Sequence, residues 1–158
     1  MKHKLIIMFA VLLCAIANAS AQDASFFRKY ADKGDVEAMF NLANCYTRGT
    51  GGVNQDYSLA TMWLTKAAKK KYAPAQVSRA YHYIYGIGVL KDYKQAYELA
   101  NKAMKQNSAS AYYLMSQMYR DGLYVNKNVV AYWQMLNAAA DRGDASGQSD
   151  LGYYYLYG

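Results

Sequence analysis

The chain holds 158 residues with a formal charge of +7, and 54% of them are hydrophobic, enough to bury one domain-sized core. Much of that share is tyrosine, 18 residues in all, each with a hydroxyl that needs water or a partner. The basic residues are scattered and the one run, Lys69–Lys71, reads as a solvated helix end, so nucleic acid is not an expected partner.

The first 21 residues read as a secretory signal peptide. Met1–Lys4 is a short basic start, Leu5–Ala17 an apolar run of 13 residues, and Ala19-Ser20-Ala21 supplies small residues at the −3 and −1 positions of a cleavage site before Gln22. The run falls short of the roughly 20 apolar residues that span a bilayer, so cleavage without stable membrane insertion is expected. Cys14 follows Leu13, which is too large for the cleavage point of a lipoprotein signal, and is expected to leave with the leader. Cys45 then has no partner for an internal disulfide, and stability must come from packing. The expected destination is the periplasm or the exterior of a bacterium.

Within residues 22–35, Ser25–Lys33 reads as a short N-terminal capping helix that ends at Gly34-Asp35. From there the chain repeats. Small residues Ala38, Ala75, Ala111 and Gly147 are spaced 37, 36 and 36 apart, and each is followed 11 residues later by a glycine: Gly49, Gly86, Gly122, Gly158. Counted from each start, offset 8 is always tyrosine (Tyr46, Tyr83, Tyr119, Tyr155) and offset 5 always small (Ala43, Ala80, Ser116, Gly152). Offset 4 is Leu42, Met115 and Leu151, with Arg79 departing in the second unit. Offsets 0, 4, 5 and 8 share one side of a helix, so each unit opens with an amphipathic first helix, closed by its glycine. Asp56, Asp92 and Asn128 then stand as N-caps of a second helix. Offsets 4, 7, 11 and 12 from each cap form a stripe: Ala60, Trp63, Ala67, Ala68 in the first unit, with equivalents ending at Ala103 and Met104 and at Ala139 and Ala140. Pro74, the only proline, falls near a helix start, where its missing N–H costs nothing.

The unit AMFNLANCYTRGTGGVNQDYSLATMWLTKAA resembles a Sel-one-like repeat, a relative of the tetratricopeptide repeat, and the resemblance covers residues 24–158. It implies an all-α solenoid of about three and a half repeats over residues 36–158, with a partial unit near 147, acting as a scaffold or adaptor without shared catalytic residues. Arg79 at the leucine position, and Leu99 and Met135 in place of the tryptophan at Trp63, depart from the pattern. Such stacked helix pairs present a long concave face lined by their first helices.

Residues that do not recur at equivalent offsets are not demanded by stacking, and offsets 3, 6, 7 and 10 vary freely. The candidate contact face drawn from them is Asn44, Arg48, Tyr81, His82, Tyr85, Gln117, Asp121, Tyr153, Tyr154 and Tyr157. The expected function is binding of a protein partner through this face, without catalysis; the alternative is an envelope glycan-binding protein or hydrolase using the tyrosines. Cys45 and His82 share offset 7 on neighbouring first helices, roughly 8–10 Å apart by helix packing, yet neither an orienting group nor an oxyanion site accompanies them. No metal-ligand spacing or cofactor motif is present, so no cofactor is expected. The closing LGYYYLYG is the second half of a fourth first helix, with Leu151 and Tyr155 expected to pack backward on the third unit. It either caps the stack or marks an array cut short, and the missing partner helix favours the second.

Overall fold

The computed structural model describes residues 23–157; the expected leader, residues 1–21, and the closing Gly158 lie outside the described residues. Eight helices and no strand occur among them: α1 (Ala24–Ala31), α2 (Val36–Arg48), α3 (Tyr57–Lys69), α4 (Ala73–Tyr85), α5 (Tyr93–Met104), α6 (Ala109–Asp121), α7 (Val129–Asp141) and α8 (Ala145–Tyr157). Each helix packs on the next, and α4 also touches α6. The first helices α2, α4, α6 and α8 therefore alternate with the second helices α3, α5 and α7 in an α/α solenoid, and α1 stands ahead of them in the place of a second helix, with no first helix before it among the described residues.

Local chemistry sets the boundaries. The α2, α4 and α6 helices end where Gly49, Gly86 and Gly122 take φ of 65°, 75° and 73°, the left-handed conformation that a side chain disfavours. The second helices begin where Asp56 accepts from the Ser58 and Leu59 N–H groups, Asp92 from Gln95 N–H and Asn128 from Ala131 N–H. The loop between them is closed in the same way in every complete unit. The N–H of the cap residue donates to the carbonyl of the recurrent tyrosine: Asp56 to Tyr46, Asp92 to Tyr83 and Asn128 to Tyr119, at 2.9–3.1 Å. The tyrosine thus fixes the loop through its backbone while its ring packs.

The core follows the stripes. Leu42, Ala43, Ala80, Met115 and Ser116 on the first helices are buried, as are Ala60, Trp63, Ala67, Ala96, Ala103 and Ala139 on the second. Small residues at the crossings let helices approach closely, and each fully buried leucine such as Leu114 or Leu136 stabilises the stack by about 1.5–3 kcal/mol. Arg79, at the leucine position, is half-buried; its Nη2 donates to the Tyr83 hydroxyl at 2.9 Å and its guanidinium lies 4.3 Å from that ring. Burial pushes its pKa down.

Side-chain bonds join one unit to the next. Ser110 Oγ donates to Asp144, the Tyr113 hydroxyl to Asp150, and Arg142 Nε to Asn107 Oδ1. The last unit departs from expectation. Leu151 is half-buried as expected, whereas Tyr155, the counterpart of buried Tyr46, is 83% exposed. A first helix buries offset 8 against its own second helix, and among the described residues α8 has none.

Candidate protein-binding face

Turning by about 100° per residue, offsets −1, 2, 3, 6 and 10 of a first helix fall within one arc of roughly 100°, opposite the packing stripe, although Val77 at offset 2 and Leu114 at offset 3 are buried. Residues from this arc line two cavities at the N-terminal ends of the first helices. One, of about 270 Å³, lies between α1 and α2 and is lined by Phe26, Phe27, Tyr30, Asp35, Glu37, Ala38 and Asn41. The other, of about 280 Å³, runs across α2, α4, α6 and α8: Phe40, Val77, Tyr81 and Tyr113 supply the apolar part and Ser108, Ser110, Asp144 and Ser146 one polar edge.

Of the residues expected on the face, Tyr81 lines the second cavity, and its ring lies parallel to that of Tyr85, 6.1 Å away. Tyr85 is 59% exposed and Arg48 is exposed; Asn44 and Gln117 are half-buried on the same arc. Asp121 is exposed and held by Arg120 at 2.8 and 3.0 Å. Tyr153 and Tyr157 are exposed with rings 5.1 Å apart. Tyr154 is 39% exposed and also packs edge-on against Trp133 of α7 at 4.9 Å.

His82 is a correction. It is 5% exposed, with Nδ1 3.1 Å from Thr61 Oγ1 of α3. The reason lies in the helical geometry: offset 7 comes round to within about 20° of offset 0, which is a packing position. Cys45 and Met118, also at offset 7, are buried for the same reason. Offset 2 escapes the sequence criterion. Phe40, Val77 and Tyr113 stand one turn before offset 6, and their spacing of four residues to the non-recurring Asn44, Tyr81 and Gln117 could have found them.

The electrostatics of the buried pair run against nucleophilic chemistry. Burial pushes the Cys45 thiol up, whereas a nucleophilic cysteine needs its pKa lowered. Burial, followed by the charge of Arg79, pushes His82 down. Burial pushes the Tyr81 hydroxyl strongly up, with Tyr113, Tyr85 and Asp144 adding to it. No helix among the described residues is long and apolar enough to cross a membrane.

Comparison with known proteins gives the fold a family. The model of the Sel1 repeat matches residues 36–72, 73–108, 109–144 and 145–158. A Sel1 repeat protein from Oxalobacter formigenes, known from its crystal structure, is 32% identical, with a TM-score of 0.75 over 84% of this chain and 54% of its own. The protective antigen c5321 of uropathogenic Escherichia coli, which displays the same type of repeat fold, is 27% identical, with a TM-score of 0.72 over 85% of this chain and 29% of its own. The chain thus spans about half the length of the first and under a third of the second. No curated protein matches it.

Proposed function

The chain belongs to the Sel1 repeat family, whose members typically serve as protein-interaction scaffolds, and from that premise we propose that it is an exported, non-catalytic scaffold that holds a protein partner against the inner face of its first helices. One observation carries the reading. Along offsets 6 and 10 the side chains change from unit to unit, and the aromatic ones pair with each other, Tyr81 with Tyr85 and Tyr153 with Tyr157. Tyr81 also packs against the core, whereas Tyr85, Tyr153 and Tyr157 stand 59%, 62% and 74% exposed. Exposed tyrosines give a partner large, rigid contact area together with a hydroxyl for orientation.

Two experiments test the two halves of the reading. For export, the chain is expressed in a bacterium and its N-terminus sequenced after fractionation; a mature start at Gln22 outside the cytoplasm is expected, and an intact Met1 inside it would count against export. For binding, tagged protein is used to capture partners from envelope extract. A partner lost on Tyr85→Ala substitution, with thermal unfolding unchanged, supports the face; full capture by that variant and by the joint Tyr81→Ala and Tyr85→Ala variant sinks it.

A further inference from the structure

We propose that this inner face is built for a basic partner: an extended segment whose lysine and arginine side chains seat in the two aromatic, acid-edged cavities at the N-terminal ends of the first helices. The proposal rests on the concave-face function and names the chemistry of its partner.

The charged side chains that line the cavities are all acidic. Asp35, Glu37 and Asp144 line the cavities, and no lysine or arginine does, although the whole chain carries +7. Asp150 adds a fourth carboxylate, accepting from the hydroxyl of Tyr113 at 3.1 Å. Exposed lysines gather instead on the second helices, at Lys66, Lys69, Lys94 and Lys102. The basic residues of the first helices are otherwise engaged or remote: Arg79 lies on Tyr83, Arg120 is paired with Asp121, and Arg48 stands at the C-terminal end of α2. At the unit junctions, Lys70 Nζ donates to the Gly34 carbonyl and Arg142 lies over Tyr112 at 4.1 Å.

Helix N-termini favour anions, and Lys33 over Tyr30, Lys70 at the Gly34 carbonyl and Arg142 over Tyr112 stand close by, but the walls of the two cavities themselves hold carboxylates and no cation. Burial raises the pKa of the two tyrosines lining the second cavity, and acids add to it: Asp144 at Tyr81, after Tyr113 and Tyr85, and Asp150 at Tyr113, where Gln117 and Arg120 act in the opposite direction.

The rings complete the match to a cation. A lysine or arginine over the face of an aromatic ring is attracted by its quadrupole, most strongly where water is excluded. The fold already uses this pairing at Lys66 over Trp63, 4.0 Å from the ring centroid, and at Arg142 over Tyr112. Phe40, Tyr81 and Tyr113 line the second cavity with no such cation among its lining residues. The cavities follow one arc across successive first helices, which suits an extended chain rather than a compact ligand.

The test uses the full chain, immobilised and panned with a library of random linear peptides. Enriched peptides are then titrated against the wild type, the Glu37→Gln/Asp144→Asn variant, the Tyr81→Ala/Tyr85→Ala variant and a Glu98→Gln control on the outer helix α5. Asparagine keeps the cap acceptor of Asp144, and Glu37→Lys alone serves if the double variant unfolds. The expected result is enrichment of lysine and arginine over the input library, with affinity falling at least about tenfold in the cavity variant, unchanged in the control, and weakening as salt rises. Neutral or acidic peptides that bind only when Tyr81 and Tyr85 are intact would overturn the basic-partner proposal and leave the concave face standing. Basic peptides indifferent to Glu37 and Asp144 would overturn it equally. Failure to recover any peptide whose binding needs the tyrosines would count against both.

Discussion

The third and fourth first helices, α6 and α8, carry the same residue classes at the same offsets and live in different surroundings. In α6, Met115 and Ser116 are sealed between α5 and α7. In α8, the matching Gly152 is exposed and Leu151 only half-buried. Sequence period decides which face of a helix is to be covered, and the neighbours decide whether it is. A repeat that contacts only adjacent units therefore changes its burial when a neighbour is absent, without any change in its own residues.

Paired substitutions put that contrast to the test. The largest gap is expected at offset 4: Met115→Ala should lower unfolding stability by about 2–5 kcal/mol and Leu151→Ala by about 1 kcal/mol or less, read by chemical denaturation. Equal losses would mean that α8 is covered in solution. The next is a contrast of opposite signs. At Gly88, with φ of 65°, an added Cβ would meet the Tyr57 carbonyl oxygen at 2.6 Å, so Gly88→Ala should cost about 1–3 kcal/mol through the contact between the first two units. At Gly152 a Cβ would meet nothing within 4 Å, and Gly152→Ala should gain about 0.5–1 kcal/mol of helix propensity, seen as a rise in melting temperature.

The smallest effect depends on pH. His82 has its folded pKa pushed below the ordinary 6.5, so the unfolded chain takes up its proton first as pH falls. The stability tied to His82 is full above about pH 6.5 and declines below it, toward the lowered folded value. Melting temperature should therefore drop between about pH 7.5 and 5.5 in the wild type, and His82→Gln should remove part of that slope. An unchanged slope would show that His82 titrates as an open side chain.

Most of the fold was legible in the sequence because its signals are local. Gly49, Gly86 and Gly122 stop helices, and Asp56, Asp92 and Asn128 start them, by chemistry that needs no distant neighbour. Counting from those marks also places Ala43, Ala80 and Ser116 inside. The face was less legible. Variation at offset 6 points to Tyr81, but the same criterion swept in His82, because a buried position that contacts a different residue in each unit varies as freely as an exposed one. Thr61 beside His82 is such a contact. Tyr155 could not be read at all, since nothing in α8 itself says whether its outer side is covered.

The claim that the first helices hold the partner is tested most directly by site-specific photo-crosslinking. A photoreactive side chain is placed at Tyr85 on the first helix α4 and, separately, at Lys94 on the second helix α5, each in the otherwise intact chain exposed to envelope extract. A discrete crosslinked partner from position 85 and none from position 94 is the expected result. A partner crosslinked from position 94 and not from position 85 would place the binding surface on the second helices and contradict the assignment.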